Sequence, residues 1–391
     1  MKNPAARRNP SRTAKHYGYA LCSALAFALL PLGQPVMASQ AQTEFQPATA
    51  PQALPQTGKT EFLERLSADD ISEAVETLQA DGYKGVIAVA RDMGPPIIHG
   101  FGDQVSASGL PDGMTQVDIL SITKTITAAA AMKLVDGGKL STAERLGDIF
   151  PNVPADKAGI TVHQLLTHSA GLQGSAGDDL IHLNKDKFFQ TVMAEPLRFK
   201  PGTDYYYSNI GYSLVAAIIE ARTGMAYEDY LRTVLFADQN ITHIGYGGVF
   251  DPRHSLLTAK GEVIDKASWG GSAHWALIGN GGLVATAPDM IRLLQSYMGR
   301  TLVSAAATEL ARTPMQREGK NAPTHYGYGL VVEDHAELGR IYWHNGGNPW
   351  FSSNWTYFAD HHLLVFTASQ GHRPNADKAA MVIARSLILS D

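Results

Sequence analysis

The pattern of apolar and polar positions predicts strands at the two ends of the chain. Near the start, residues 85–90 and 97–102 are short β-rich runs separated by a Gly-Pro-Pro turn, which is typical of an antiparallel hairpin. Near the end, the strand signal returns in four further runs, at residues 329–333, 340–343, 354–358 and 363–367. We therefore expect a single antiparallel sheet that contains strands from both ends.

Helical periodicity dominates the middle of the chain. Apolar residues recur every three to four positions in 61–80 and in 121–135, and the second run stops at a pair of glycines. Further helices are predicted at residues 161–167, 186–194, 210–222, 226–236 and 377–389. The expected fold is of the α/β (α+β) class, with an antiparallel sheet flanked by helices and an inserted, mainly helical lobe. A cleft at the junction would be the natural place for a site.

Residues 1–38 predict a cleaved signal peptide. Five basic residues and no acidic one precede an apolar stretch over 18–32. That stretch is shorter than the about 20 residues that span a bilayer, and small residues follow it. We expect a periplasmic or secreted protein without a stable membrane anchor; a retained N-terminal anchor is the alternative. Residues 39–60, rich in Ala, Gln, Pro and Thr, predict a flexible lead-in to one domain over 61–391.

Composition narrows the classes of partner and chemistry. The chain of 391 residues has a net charge of −5, and loss of the five basic residues of the signal peptide makes it −10. An acidic protein is a poor partner for nucleic acid. The only cysteine, Cys22, lies within the predicted signal peptide, which excludes a thiol nucleophile or a disulfide in the mature chain. Histidine spacing shows no metal motif, so we predict no metal and no cofactor.

The stretch Ser121-Ile122-Thr123-Lys124 is the first with candidate chemistry. Residues three apart on a helix share a face, so the serine hydroxyl and the lysine amine can meet. The start of a helix also favours developing negative charge near Ser121. Small and apolar residues after Lys124 predict its burial, which disfavours the ammonium form and makes the amine a usable base. The alternative is a helix-capping serine and a surface lysine.

Tyr207 and Asn209 form the second candidate pair. They alternate onto one side of a short extended segment, just before the predicted helix 210–222. A phenol can shuttle a proton, and an amide can both donate and accept hydrogen bonds. The alternative is aromatic packing together with an asparagine that caps the helix.

The third stretch, His344-Asn345-Gly346-Gly347, follows a predicted strand. Glycines allow the backbone to approach a substrate closely. The N–H of Gly347 can then donate to an oxyanion from the side opposite the N–H of Ser121. The alternative for this stretch is an ordinary turn.

The order and spacing of the three stretches resemble the serine β-lactamase and penicillin-binding superfamily. The variant Ser-x-x-Lys, Tyr-x-Asn, His-x-Gly is similar to the class C β-lactamase-related group, which includes D-alanyl-D-alanine carboxypeptidases, D-amino-acid peptidases and esterases. The resemblance covers roughly residues 80–375 and includes the stretches 165–172, 199–211 and 281–289. It implies a β-lactamase/transpeptidase-like fold.

The resemblance also implies a role for each candidate residue. Ser121 is the nucleophile that forms an acyl-enzyme, and Lys124 and Tyr207 share the acid and base work. Asn209 positions the acyl side chain, and His344 takes the place of the lysine of the Lys-Thr-Gly motif. The remaining residues of the oxyanion wall are the glycines Gly346 and Gly347.

The implied function is an exported serine hydrolase, either D-alanyl-D-alanine carboxypeptidase-like or β-lactamase-related. A carboxylesterase of the same fold and a non-catalytic penicillin-binding-like protein are the alternatives. The substrate would be a small molecule or derived from peptidoglycan, and the oligomeric state stays open. His344 argues against a dedicated β-lactamase, because a neutral imidazole holds a carboxylate less well than an ammonium does. Trp350 replaces a usual glycine, which predicts a narrowed or reshaped pocket.

Overall fold

The computed structural model describes residues 66–247, 249–264, 274–371 and 375–389. Within these residues, strands from the two ends of the chain form an eight-stranded antiparallel sheet in the order β2-β1-β10-β9-β8-β7-β6-β5. The predicted sheet is therefore confirmed. Its strands are β1 (Gly85–Arg91), β2 (Ile97–Phe101), β5 (Gln316–Arg317), β6 (His325–Tyr326), β7 (Val331–His335), β8 (Gly339–Gly347), β9 (Phe351–Phe358) and β10 (Leu363–Gln370).

The central strands are apolar on both sides because both faces of the sheet are covered. Along β1, Val86 and Ala88 belong to the large core cluster beneath the helical lobe, while Ile87 and Val89 belong to a smaller cluster on the opposite face. The smaller cluster is covered by α1 (Ser72–Ala80) and α11 (Asn375–Ile388), which pack against each other. The two ends of the chain are thereby joined by strand pairing and by helix packing.

The helical lobe is inserted between the two halves of the sheet, as predicted. Its centre is α2 (Thr123–Asp136), which packs against α7 (Asn209–Thr223) and is almost wholly buried. The other helices are α3 (Leu146–Ile149), α4 (Ala155–Ala158), α5 (Val162–Leu166), α6 (Lys185–Ala194), α8 (Tyr227–Tyr230), α9 (Ala287–Met298) and α10 (Ala305–Arg312). A second, two-stranded sheet pairs β3 (Gln116–Asp118) with β4 (Val284–Thr286).

Several boundaries differ from the sequence pattern. The predicted helix 226–236 is α-helical only in α8 and continues as a π-helical turn over Leu231–Leu235. The sequence pattern predicts no element between residues 236 and 329, although β4, β5, β6, α9 and α10 lie there. Pro288 in the first turn of α9 is a helix-start signal that would have revealed it. A three-residue strand such as β4 is too short to show a period.

The N-terminal predictions lie outside the described residues. They concern the signal peptide 1–38, the lead-in 39–60 and the first residues of the predicted helix 61–80, of which Ser72–Ala80 is helical. Among the residues that the structure does describe, none of the helices has the length and apolar character needed to cross a membrane.

Candidate active site

Ser121 lies in a tight turn that links β3 to α2. The turn, Leu120–Ile122, is a 3₁₀-helix, so α2 itself begins at Thr123, two residues later than predicted. Leu120 has φ = +53°, a left-handed conformation that a bulky L-residue rarely adopts. Its N–H donates to Asp118 Oδ1 at 2.8 Å. The surroundings thus hold a strained backbone next to Ser121, as is common at functional sites.

Lys124 reaches back from the first turn of α2 to Ser121. Its Nζ donates to Ser121 Oγ at 3.2 Å and to the backbone oxygen of Asn280 at 2.7 Å. The lysine side chain is 0% exposed, so it is not the surface residue of the alternative interpretation. Nζ also lies 4.8 Å from the ring centre of Tyr207. An amine held against a hydroxyl in a dry environment is positioned to exchange a proton with it.

The segment Tyr207-Ser208-Asn209 is held by hydrogen bonds to the loop that follows α5. Ser208 Oγ donates to the backbone oxygen of Gln173 at 2.6 Å, and the N–H of Asn209 donates to that of Gly174 at 2.7 Å. Ser208, whose Oγ accepts from the N–H of Gly211, is the residue that caps α7. Asn209 is therefore not the helix cap. Its Oδ1 is buried and has no hydrogen-bond partner within the described part of the chain.

Strand β8 brings the glycines of the third stretch against Ser121. β8 pairs with β9 through Gly347, but with β7 only as far as Trp343. A Cβ on Gly346 would lie 2.4 Å from Leu120 Cβ and 2.8 Å from the backbone nitrogen of Ser121. Only glycine permits this approach. The stretch is thus the end of a strand instead of a turn, and the backbone of Gly346 lies directly against Leu120 and Ser121.

His344 is buried and bonded on both sides of its ring. Nδ1 lies 2.7 Å from the backbone oxygen of Asn345, and Nε2 lies 2.9 Å from Tyr326 Oη. Because a carbonyl can only accept, Nδ1 carries a proton, whereas the Tyr326 hydroxyl can either donate to Nε2 or accept from it. The ring centre of His344 lies 6.5 Å from that of Tyr207. His344 therefore belongs to the same cluster, but both ring nitrogens are bonded to protein groups.

Trp350 lies in the turn between β8 and β9. It is partly buried and packs against the main core cluster. Its backbone oxygen accepts from the N–H of Gly371 at 2.6 Å, and its N–H donates to Asn348 Oδ1 at 2.9 Å. The residue therefore joins this turn to the end of β10. The narrowing of the pocket that its size suggests stays a prediction.

Three residues near the site were not predicted from the sequence. Two of them lie within or beside stretches that carry the family resemblance. Asn280, which immediately precedes Gly281-Gly282, offers its backbone oxygen to Lys124. His168, in the stretch 165–172, packs its ring 4.3 Å from that of Tyr207 and 4.5 Å from that of Tyr326. Burial lowers the pKa of His168 well below its usual value, and the charge of Lys124 lowers it further. Burial raises the pKa of Tyr326 well above its usual value.

No group of three or more His, Asp or Glu side chains suited to a metal ion occurs within the described ranges.

A family model described as Beta-lactamase matches residues 69–389. The chain belongs to the β-lactamase family. Members of this family are hydrolases of the serine β-lactamase fold, which agrees with the resemblance that the three sequence stretches indicate.

The relatives of this β-lactamase-family chain include penicillin-binding proteins. Penicillin-binding protein 4* of Bacillus subtilis (strain 168) is 26% identical over 296 residues, covering 69% of this chain. The match covers 64% of that relative, less than two thirds of its length.

Solved structures show the same fold at lower identity. A β-lactamase/D-alanine carboxypeptidase from Pseudomonas syringae has a TM-score of 0.69 at 18% identity, covering 82% of this chain and 98% of that chain. A D-amino acid amidase from Ochrobactrum anthropi SV3 has a TM-score of 0.69 at 20% identity, covering 81% of this chain and 97% of that chain. These similarities support the β-lactamase/transpeptidase-like fold and leave the substrate open.

Proposed function

We propose that this chain is an exported serine hydrolase that works through an acyl-enzyme. The observation that carries the proposal is the buried Lys124 amine, 3.2 Å from Ser121 Oγ and 2.7 Å from the backbone oxygen of Asn280. A lysine with only a structural role does not need a serine hydroxyl next to its amine, whereas a nucleophilic serine needs an adjacent base. Tyr207, whose ring lies over the same amine, completes a unit that can receive and return a proton.

The proposed reaction follows from this arrangement. Ser121 Oγ attacks the substrate carbonyl while its proton passes to the unit of Lys124 and Tyr207. The N–H groups of Ser121 and Gly347 stabilise the oxyanion of the tetrahedral intermediate. The leaving group then takes the proton, and Asn209 contacts the acyl side chain. Water attacks the resulting ester, activated by the same unit, and releases the product. No cofactor enters these steps.

For the substrate, we infer an amide or ester with a neutral leaving group. His344 stands where related enzymes carry a lysine, yet its Nδ1–H donates to the backbone oxygen of Asn345 and its Nε2 is hydrogen bonded to Tyr326 Oη. An imidazole whose two nitrogens are both bonded to protein groups has no ring N–H left for a substrate carboxylate. The structural similarity to a D-amino acid amidase is compatible with such a substrate. A D-alanyl-D-alanine carboxypeptidase-like activity on peptidoglycan fragments is the second candidate, favoured by the similarity to penicillin-binding protein 4*.

Replacement of Ser121 tests the proposed mechanism. We expect Ser121→Ala to abolish hydrolysis of amides and esters and to abolish the covalent adduct with a serine-directed phosphonate, because it removes the nucleophile. Intact-mass spectra before and after labelling provide the measurement. Ser169→Ala, at another buried serine, is the control and should still be labelled. An adduct that persists in Ser121→Ala would reject the assignment, and an unreactive wild-type protein would favour the non-catalytic alternative.

The pH dependence of kcat/KM separates the two substrate classes. A carboxylate bound by a protonated histidine, with a reference pKa of about 6.5, would be held more weakly as pH rises from about 6 to 8. Because both ring nitrogens of His344 are already bonded to protein groups, we expect parallel profiles for p-nitrophenyl butyrate and for an acyl-D-Ala-D-Ala peptide. A selective loss of the peptide at high pH, restored by His344→Lys, would instead support the carboxypeptidase.

Export is proposed from the sequence of residues 1–38. We expect a mature protein that begins near Ser39 or Gln42 in the periplasm or the medium. N-terminal sequencing that begins at residue 1 or 2 of membrane-bound protein would replace this with an anchored enzyme.

A further inference from the structure

His168 is a buried histidine with a strained backbone beside the proposed site. It lies two residues after the end of α5, is 1% exposed and has φ = +59°. Histidine is one of the few residues enriched in the left-handed region, yet this conformation still persists only where the surroundings determine it strongly. The position of His168 is therefore well fixed before any contact with the site is considered.

Two hydrogen bonds connect His168 to both neighbours of Tyr207. The N–H of Tyr206 donates to the backbone oxygen of His168 at 3.0 Å, and the N–H of Ser208 donates to its Nδ1 at 3.0 Å. One residue thus holds the backbone on each side of the proposed acid–base tyrosine. Since Nδ1 accepts, the neutral ring carries its proton on Nε2. Burial lowers the pKa of His168 well below its usual value, which keeps Nδ1 available as an acceptor at neutral pH.

The ring of His168 also contacts the side chain of Tyr207. It packs against the ring of Tyr207 at 4.3 Å and against that of Tyr326 at 4.5 Å. Tyr326 in turn is hydrogen bonded to His344 on β8. His168 therefore lies between the segment that carries Tyr207 and the strand that faces Ser121.

We propose that His168 is a positioning residue, which holds Tyr207 in register with Lys124 and Ser121 through the hydrogen bond that its Nδ1 accepts from the N–H of Ser208. The inference rests on the proposed function, because it assigns the purpose of this contact to the acid–base work of Tyr207. His168 itself touches neither the substrate nor the nucleophile in this scheme.

Two amide replacements test the hydrogen bond. Asn places an oxygen near the position of Nδ1 and tolerates positive φ, whereas Gln places its amide near the position of Nε2. We expect His168→Asn to keep most of kcat for p-nitrophenyl butyrate. His168→Gln should lower kcat about 10- to 100-fold at nearly unchanged KM, since a small misplacement of a reacting group has effects of that size. His163, whose Nδ1 is bonded to Tyr328 instead, supplies the matched control His163→Gln, which should keep its kcat.

A double-mutant cycle distinguishes positioning from general damage. If His168 acts through Tyr207, His168→Gln should cause little further loss in a Tyr207→Phe background. Thermal unfolding of every variant identifies losses that come from instability. An equal loss in both backgrounds, or an unchanged kcat in folded His168→Gln, would overturn the proposal. Should His168→Gln fail to fold, a loss of more than about tenfold in folded His168→Asn would overturn it as well. Tyr207→Phe with full activity would instead refute the proposed function.

Discussion

At the residue scale, the candidate chemistry depends on one buried amine and its three neighbours. Lys124 Nζ lies between Ser121 Oγ, the backbone oxygen of Asn280 and the ring of Tyr207. The Asn280 oxygen can only accept, so one N–H of the Lys124 amine is directed at it. The rest of the amine is then available to the serine and the tyrosine. Proton transfer at Ser121 is therefore expected to involve Lys124 and Tyr207 together.

The shared role of Lys124 and Tyr207 is testable by mutation. We expect Lys124→Ala and Tyr207→Phe each to lower kcat about 10²-fold or more, the usual range for positioned acid–base groups. Because the two act as a unit, the double mutant should lose much less than the product of the single losses. The measurement is kcat of all four proteins on one ester. Tyr206→Phe, whose ring packs on Arg198 at 3.7 Å, is the control. Multiplicative losses would mean that the two residues act independently.

At the scale of elements, the site depends on how closely β8 approaches the turn before α2. On the opposite face of β8, Asn345 Nδ2 donates to Asp377 Oδ2 of α11 at 3.0 Å, and Asn354 of β9 donates to Oδ1 of the same carboxylate at 2.9 Å. On the near side, Ser353 Oγ donates to the backbone oxygen of Ile119 at 2.9 Å. These bonds connect β8 and β9 both to the helix behind them and to the turn in front.

Gly346→Ala tests the importance of this approach. The added Cβ would lie 2.4 Å from Leu120 Cβ and 2.8 Å from the Ser121 nitrogen, so β8 or the turn must move. We expect kcat to fall about 10²-fold, because the oxyanion donors and the nucleophile no longer have the same spacing. The control is Gly159→Ala, where an added Cβ meets no atom within 4 Å. Near-normal kcat in Gly346→Ala would show that β8 is not a wall of the site.

At the scale of the whole molecule, burial of neutral histidines connects the fold to pH. Burial lowers the pKa of His163, His168 and His274 below their usual values. Such a histidine binds fewer protons in the folded than in the unfolded chain. Its contribution to stability is complete above the unfolded pKa of about 6.5 and is lost as pH falls toward the folded value.

Acid unfolding therefore has an expected direction for His168. The free energy of unfolding of the wild-type protein should fall between pH 7.5 and 5, by at most about 1.4 kcal/mol per pH unit for this residue. His168→Asn has no titrating ring and should lose less over the same range. Urea unfolding of both proteins at several pH values is the measurement. Equal pH dependence of the two proteins would show that His168 is not held neutral by the fold.

Local signals predicted much of the fold and named the candidate residues. The apolar runs that became β1 and β10 indicated buried strands, and the spacing of Ser121 and Lys124 placed two side chains within reach on any helix-like turn. The partners of those groups could not be predicted in the same way. Lys124 and Asn280 are 156 positions apart in sequence, and His168 and Ser208 are 40 apart, so no local period relates them.

The sequence by itself determined the strands at both ends, the helices between them and three stretches with the spacing of a serine hydrolase. These depend on neighbours a few positions away, where periodicity and turn chemistry act. Only the tertiary structure decided that Leu120 is strained, that Gly346 must lack a side chain and that His344 is bonded through both ring nitrogens. Each of these depends on segments that are far apart in sequence and meet only in the folded chain. Hydrogen bonds and steric contacts act over a few ångströms of space, whatever the separation along the chain, so local sequence patterns do not predict them.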